Sequence, residues 1–309
     1  MNPSSHASEH APPAGADRPT VIFLHIPKTG GLTLGDIMLR EYGRGHLEIL
    51  AGRGPERREA HLRFLETGIP ATRDLPGTSP VVRFKEIPPA RRAGLRAVMG
   101  HFPFGLHQAI ERPSTYLTLV RDPIDRILSG YQHRVVRQRF ALGLEEYIRS
   151  ERDPAMHNSQ VRRVVGVGPE RLDRLGREAL DLAIRNMEEH FALVGLTERF
   201  DESLVLAAHV FGWRRIAYRR QNEGRGRPRR EDLSADLLRI LERNNELDRE
   251  LLEFARARLR RQLDEAGFDV DRALARLRRR SSLYRWIAPR QARTGPNWKR
   301  HPVERTLPR

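Results

Sequence analysis

The sequence predicts an α/β fold in which a central parallel sheet is flanked by helices. Short apolar runs alternate along the chain with longer segments whose apolar residues recur at helical spacing. The short runs are apolar throughout, which is typical of strands buried on both faces of a parallel sheet. Polar or glycine-rich clusters follow these runs, and ligands in such sheets bind at the carboxyl ends of the strands.

The chain opens with a strand, a glycine turn and a helix. The β-branched and aromatic run from Thr20 to His25 predicts a buried strand that stops at Pro27. The turn Lys28 to Gly31 follows it. Apolar residues then recur at helical spacing from Leu32 to Tyr42, and Gly43 is predicted to end this helix.

The rest of the chain continues the alternation of strands and helices. Strands are predicted at Val81 to Phe84, Leu95 to Met99, Tyr116 to Val120 and 191–194. The stretch 44–80 is interpreted as an insertion with one helix near 55–66. Asp122 is a good N-cap and Pro123 a good first residue for a helix that continues to about Phe140. Further helices are predicted near 143–150, 169–189, 199–211 and, with one break, 231–266.

Composition restricts the class of protein. The 309 residues, 39% of them hydrophobic, suffice for one large α/β domain. Without cysteine the chain has neither a disulfide framework nor a cysteine-ligated metal site. No apolar run approaches the roughly 18 residues of a membrane span, and the start of the sequence has no apolar signal-peptide core. We therefore predict a disordered leader over 1–19, a domain over 20–275 and a cytoplasmic location.

The formal net charge of +16 is concentrated in two short segments. Residues 276–309 carry eleven Lys or Arg against one Glu, and residues 213–230 carry eight Arg against one Glu, so the rest of the chain is close to neutral. The segment 276–309 is predicted to be a basic C-terminal tail. Its arginines are interleaved with Tyr284, Trp286 and Trp298, a pattern that suits an anionic glycan, a membrane surface or RNA. A solvated tail without a partner is the alternative.

The turn Pro27-Lys28-Thr29-Gly30-Gly31-Leu32-Thr33 predicts an anion site. A glycine turn between a strand and a helix directs several backbone N–H groups and the positive end of the helix dipole at one point. The Walker sequence of nucleotide triphosphate sites has its lysine after the glycines, whereas Lys28 precedes them, and the chain has no Walker sequence elsewhere. An ordinary loop is the alternative interpretation.

A second candidate site begins where the strand Tyr116 to Val120 ends. Arg121 would project from the carboxyl edge of the sheet beside a helix N-terminus, where phosphate binding is favourable. Ser129, about two turns into that helix, would direct its hydroxyl into the same crevice. The alternative is that Arg121 and Arg126 are surface charges and Ser129 is a small packed residue.

His101 is the candidate general base. It comes directly after the predicted strand Leu95 to Met99 and Gly100, so it would stand over the ligand crevice. A neutral imidazole can accept the proton of a hydroxyl group near neutral pH. His25 and His107 are instead predicted to be structural.

Four segments together resemble the Golgi heparan sulfate 2-O-sulfotransferases and their bacterial relatives. They are FLHIPKTGG at 23–31, GHFPFGLH at 100–107, YLTLVRDPIDRILSG at 116–130 and LVGLTERFDESLVL at 193–206. The resemblance implies a P-loop NTPase-like sulfotransferase fold. It also implies an O-sulfotransferase that moves a sulfuryl group from 3′-phosphoadenosine 5′-phosphosulfate (PAPS) to an acceptor hydroxyl and leaves 3′-phosphoadenosine 5′-phosphate (PAP).

The resemblance further implies roles for single residues. Lys28 to Thr33 match the loop that holds the 5′-phosphosulfate, with the Lys28 ammonium on the oxygen that bridges to the leaving phosphate. Arg121 and Ser129 match the residues that hold the 3′-phosphate, and His101 matches the general base. Leu32 departs from the family, which usually has a hydroxyl residue there, and the neighbouring Thr33 is a candidate replacement. The chemistry requires no metal.

The acceptor and two other function classes stay open. A glycan or glycan-like acceptor is predicted, and a hexuronic acid, another sugar hydroxyl and a small secondary metabolite all stay open. The residues that recognise it are expected in loops that include 44–80 and 141–170, whose sequences show no interpretable pattern. The Arg-rich segment 219–230 falls where the family has a basic loop near the nucleotide. A nucleotide kinase is an alternative, although the sequence has no Walker loop. A basic nucleic-acid-binding protein is suggested by charge alone, but no specific nucleic-acid partner is predicted. Contact of the tail with a membrane remains open.

Overall fold

The structure is a computed structural model that describes residues 18–50, 80–138, 141–166, 175–219 and 226–287. Among these residues five strands form one parallel sheet in the order β2-β3-β1-β4-β5. The strands are β1 Thr20–Leu24, β2 Leu47–Leu50, β3 Ala97–Gly100, β4 Ser114–Val120 and β5 Phe191–Leu196. The predicted α/β fold with a central parallel sheet is confirmed.

Helices flank the sheet. They are α1 Gly31–His46, α2 Pro80–Lys85, α3 Pro89–Ala93, α4 Pro123–Gln138, α5 Leu144–Ser150, α6 Ser159–Val165, α7 Arg177–His190, α8 Phe200–Phe211, α9 Ala235–Asn244, α10 Glu246–Asp264 and α11 Val270–Ile287. Helix α1 packs against β2 and β3, while α8 and α10 pack against β5. Strands β1 and β3 are buried along their whole length, as their uninterrupted apolar runs predict.

The strand order reverses beside β1. The chain leaves β1 for β2 at one edge, returns to β3, and then crosses β1 to build β4 and β5 on the other side. β1 therefore pairs with β3 on one side and with β4 on the other. In open parallel sheets the crevice at such a reversal, outside the carboxyl ends of the strands, receives the ligand.

The strand predicted at Val81 to Phe84 is wrong, because these residues lie in α2. Phe84 is 2% exposed and Val82 is 46% exposed, so this apolar run buries one helical face and not both faces of a strand. β2 was not predicted, since its residues were assigned to the insertion 44–80. The helix predicted near 55–66 lies outside the described residues.

Several predicted boundaries move by a few residues. Helix α1 continues through a kink at Gly43, whose φ is 69°, and ends at His46. The long helical segment predicted over 231–266 breaks at Asn245, which separates α9 from α10. The predicted boundary between domain and tail, at residue 275, falls inside α11, so residues 276–287 of the tail continue that helix.

Candidate active site

The glycine turn after β1 has the backbone of an anion site. Lys28 has φ 73° and Gly30 has φ 87°, so two residues of the turn are left-handed, and α1 begins at Gly31. Such an alternation of backbone conformations gathers N–H groups into a concave surface that suits an anion. Helix α1 has no side-chain cap at Gly30 and no acidic residue in its first turn. The positive end of its dipole therefore faces the turn without a carboxylate of its own.

The two threonines of the turn are buried. The Thr29 hydroxyl donates to the carbonyl of Ile26 at 2.8 Å, and the Thr29 carbonyl accepts a hydrogen bond of 3.0 Å from the hydroxyl of Thr197, just after β5. Thr33 is buried in the first turn of α1, while Leu32 is partly exposed. The Thr29 side chain thus fixes the shape of the turn, and its backbone N–H is the group suited to a ligand.

His25 connects the turn to the candidate base. A Cβ added to Gly31 would lie 2.0 Å from His25 Nε2, so glycine is needed there to admit the imidazole. The buried His25 ring stacks on Phe23 at a centroid distance of 5.1 Å and lies 4.2 Å from the ring of His101. His25 therefore packs as a spacer between the glycine turn and His101.

His101 is exposed at the carboxyl end of β3, and its ring has a fixed tautomer. Its Nδ1 lies 2.9 Å from the carbonyl oxygen of His25. Because a carbonyl oxygen can only accept, Nδ1 carries the proton, and a neutral ring then has its lone pair on Nε2. The backbones of β3 and β2 lie close together at this edge of the sheet, since a Cβ added to Gly100 would lie 2.5 Å from the carbonyl oxygen of Leu50.

Arg121 joins the end of β4 to the turn. Its Nη1 donates to the Lys28 carbonyl at 2.9 Å, and its Nη2 lies 3.8 Å from a carboxylate oxygen of Asp125. Burial lowers the pKa of Arg121, and the positive charge of Arg227 lowers it further. The carboxylates of Asp125 and Glu198 oppose these shifts, so Arg121 lies among charges of both signs at a partly buried edge of the sheet.

The side chain of Lys28 passes close to α4 at Gly130. A Cβ added to Gly130, the residue after Ser129, would lie 4.0 Å from Lys28 Cγ and 3.6 Å from Arg134 Nη1. The side chain of Lys28 therefore passes α4 one residue from Ser129, which is partly exposed. The structure brings Lys28 and Arg121 together at one edge of the sheet, and Ser129 lies in the neighbouring helix α4.

The alternative that makes Arg126 a surface charge is wrong, because its side chain is buried in the second turn of α4. Its Nη2 donates to the carbonyl of Ala155 at 2.5 Å. Burial lowers the pKa of Arg126, and the charges of Asp248 and Asp153 oppose that shift. Arg126 thus packs inside the fold behind the candidate site and does not reach the sheet edge where Lys28 and Arg121 lie.

Arg227 and Gln160 were not singled out by the sequence. Arg227 belongs to the Arg-rich segment 219–230, and the high arginine content of that segment was the only feature of the sequence that pointed to it. The structure describes Arg219 and 226–230 of this segment. Gln160 bonds both backbone groups of Arg121, a contact that no local pattern indicates.

Within the described ranges no cluster of three or more His, Asp or Glu residues is arranged to hold a metal ion. Each helix in those ranges is too short or too polar to cross a membrane.

The fold is that of an α/β protein whose sheet edge, with its left-handed turn, helix N-terminus and Arg121, is suited to an anion. A family model described as the sulfotransferase family matches residues 15–255, more than three quarters of the 309-residue chain. The chain belongs to the sulfotransferase family and is a transferase of sulfuryl groups. The match contains every candidate site residue and ends within α10, before α11. A search of curated proteins finds no match.

Proposed function

We propose that the protein is a PAPS-dependent O-sulfotransferase related to the heparan sulfate 2-O-sulfotransferases. The observation that carries this proposal is the contact between the Arg121 guanidinium and the Lys28 carbonyl. It joins the glycine turn to the cation that follows β4, and a ligand with two phosphate groups would need both. Membership of the sulfotransferase family supports the same reaction class.

The residues at this edge fit the two anionic ends of the donor. The left-handed turn at Lys28 and Gly30 and the N-terminus of α1 suit the 5′-phosphosulfate. The cations Arg121 and Arg227, with the hydroxyl of Ser129 on the neighbouring helix, suit the 3′-phosphate. When bound, the donor supplies an activated sulfuryl group.

His101 and Lys28 would divide the work of catalysis. With Nδ1 donating to His25, the Nε2 lone pair of His101 would take the proton of the acceptor hydroxyl. The Lys28 ammonium and the amides of the turn would stabilise the negative charge that develops on the leaving phosphate. In this scheme proton transfer to His101 contributes about 10²- to 10⁴-fold in rate.

The acceptor is proposed to be a glycan or glycan-like molecule with anionic groups, guided by α11. The outer face of α11 carries exposed Arg272, Arg276 and Arg279, and its inner face buries Leu274 and Leu277. A row of cations on one helix face attracts a polyanion and concentrates it near the site.

The middle of α11 contacts the start of α8, and the start of α8 in turn packs against the glycine turn. Arg278 Nε is 3.7 Å from a carboxylate oxygen of Asp201 at the start of α8. The ring of Phe200, the preceding residue, would lie 3.5 Å from a Cβ added to Gly30. An acceptor held on α11 would therefore extend toward the reacting groups.

Transfer of radiolabelled sulfate from PAPS to a panel of acceptors tests the function. We expect label on an anionic glycan, loss of transfer in Lys28→Ala, and little change in Lys85→Ala, which removes an exposed lysine of α2. PAP binding measured by calorimetry supports the donor assignment, while absence of both PAP binding and transfer contradicts it. Phosphoryl transfer from ATP in a parallel assay would favour the kinase. Binding of RNA or DNA that falls steeply with salt would favour the nucleic-acid-binding alternative.

A further inference from the structure

The side chain of Gln160 is bonded to both backbone groups of Arg121. Gln160 Oε1 accepts from the Arg121 N–H at 3.0 Å, and Gln160 Nε2 donates to the Arg121 carbonyl at 2.8 Å. Arg121 lies one residue beyond the end of β4. The amide of Gln160 therefore supplies to Arg121 the donor and acceptor that a neighbouring strand would supply within the sheet.

Gln160 is itself held by a buried carboxylate. The backbone N–H groups of Gln160 and Val161 donate to Asp248 in α10 at distances of 3.0, 3.1 and 2.8 Å. Gln160 and Asp248 are both 0% exposed. Burial raises the pKa of Asp248, and the charge of Arg126 opposes this shift. The N-terminus of α6 is thereby fixed to α10, and the Gln160 side chain is fixed with it.

We propose that Gln160 is a positioning residue for the donor site. Its two hydrogen bonds fix the backbone of Arg121, so that the guanidinium reaches the Lys28 carbonyl and stays beside Arg227. Fixing a backbone in advance removes the entropy that ligand binding would otherwise cost. Helices α6 and α10 thus set nucleotide affinity through a residue that does not contact the nucleotide. This inference rests on the proposed function, because it assumes that PAP and PAPS bind at Arg121.

Asn186 provides a matched control. It is a second buried amide that anchors α6, and its Nδ2 donates to the carbonyl of Val164 at 2.9 Å, near the opposite end of that helix. A purely structural role for Gln160 predicts that Gln160→Ala and Asn186→Ala have similar effects. A positioning role predicts that only Gln160→Ala changes the donor site.

PAP affinity, measured by calorimetry, separates the two roles. We expect Gln160→Ala to weaken PAP binding about tenfold, the effect of one or two lost hydrogen bonds, and Asn186→Ala to leave the dissociation constant unchanged. We also expect Gln160→Ala to have no further effect in an Arg121→Ala background, because a positioning residue acts only through its target. Equal effects in Gln160→Ala and Asn186→Ala, or an undiminished effect without Arg121, would overturn the proposal.

A crystal structure of the Gln160→Ala variant distinguishes this inference from the proposed function. We expect the Arg121 guanidinium to leave the Lys28 carbonyl, with the fold of α6 retained. An unchanged Arg121–Lys28 hydrogen bond would overturn the positioning role, whether or not the protein binds PAP. Failure of the unsubstituted protein to bind PAP would instead count against the donor assignment, and the Arg121–Lys28 geometry would still decide the role of Gln160.

Discussion

The Arg121 guanidinium donates a hydrogen bond of 2.9 Å to the backbone carbonyl of Lys28, across 93 positions of sequence. The bond joins the turn that follows β1 to the residue that follows β4, two strands that are neighbours in the sheet. Movement of the Arg121 side chain would therefore break this hydrogen bond and remove a contact that holds the turn.

Substitution of His101 tests the general base. We expect His101→Ala to lower kcat about 10²- to 10⁴-fold, because the acceptor hydroxyl loses its proton acceptor, and to leave PAP affinity nearly intact. His46 is a matched control, since it is also exposed and its Nδ1 lies 2.8 Å from a backbone carbonyl, that of Gly94. His46→Ala should retain transfer, and full turnover in His101→Ala would remove His101 from this role.

Substitution of Gly31 tests the link between the turn and the base. The added methyl group of Gly31→Ala would lie 2.0 Å from His25 Nε2, so the imidazole of His25 must move, and the adjacent His101 ring with it. We expect a loss of both PAP affinity and kcat. Gly45→Ala, in the same helix and with no atom within 4 Å of the new Cβ apart from its chain neighbours and the backbone of its own helix, is the control. Equal turnover in the two variants would show that His25 does not couple these groups.

His107 is expected to make the stability of the protein depend on pH. Burial lowers the pKa of His107 from its usual 6.5, and the neighbouring His190 lowers it further. The unfolded chain thus takes up this proton more readily, so the free energy of unfolding should fall as pH drops through 6.5 toward the lower native pKa. Urea unfolding between about pH 5 and pH 8 measures this change.

The matched comparison for that pH dependence is His107→Gln, which removes the titrating group. We expect its unfolding free energy to change less with pH than that of the unsubstituted protein. His46→Gln, at an exposed position, serves as the control. Parallel pH curves for His107→Gln and the unsubstituted protein would contradict the contribution of His107.

The cations of α11 are expected to act on the acceptor and not on the donor. Arg276→Ser with Arg279→Ser removes two exposed charges and leaves the buried Leu277 in place, whereas deletion after residue 275 would also remove that packing. We expect a higher KM for an anionic acceptor, an unchanged PAP dissociation constant, and a smaller difference at high salt, where such attraction is screened. An unchanged acceptor KM at low salt would exclude α11 as a docking surface.

The sequence predicts those parts of the fold and site that depend on local pattern. The sequence predicts β1, the turn and α1 because an apolar run, two glycines and a helical repeat follow one another directly. It predicts Arg121 and α4 because an apolar strand is followed by an N-cap residue, a proline and a helical repeat. β2 was not predicted, because it has only four residues and directly follows a kinked helix, so its sequence shows no clear strand pattern. Val81 to Phe84 was misassigned, because a short apolar run is compatible with a strand or with one face of a helix.

The parts that sequence could not predict are tertiary contacts. Gln160 lies 39 positions from Arg121 and is fixed by Asp248, 88 positions further on, so its role follows from packing of three segments. In the sequence Arg126 is one of 56 basic residues, and only the folded structure shows that it is buried. Such residues are recognised only once the fold brings their partners together.

The left-handed backbone of Lys28 implies a compromise between durability and chemistry. At φ 73° a residue with a side chain is disfavoured by about 1 kcal/mol or more, whereas glycine adopts this conformation freely. Selection for heat resistance alone would therefore favour glycine at position 28 and discard the ammonium group. A lysine at this position therefore places an ammonium group at the turn at a cost in backbone energy that glycine would not incur.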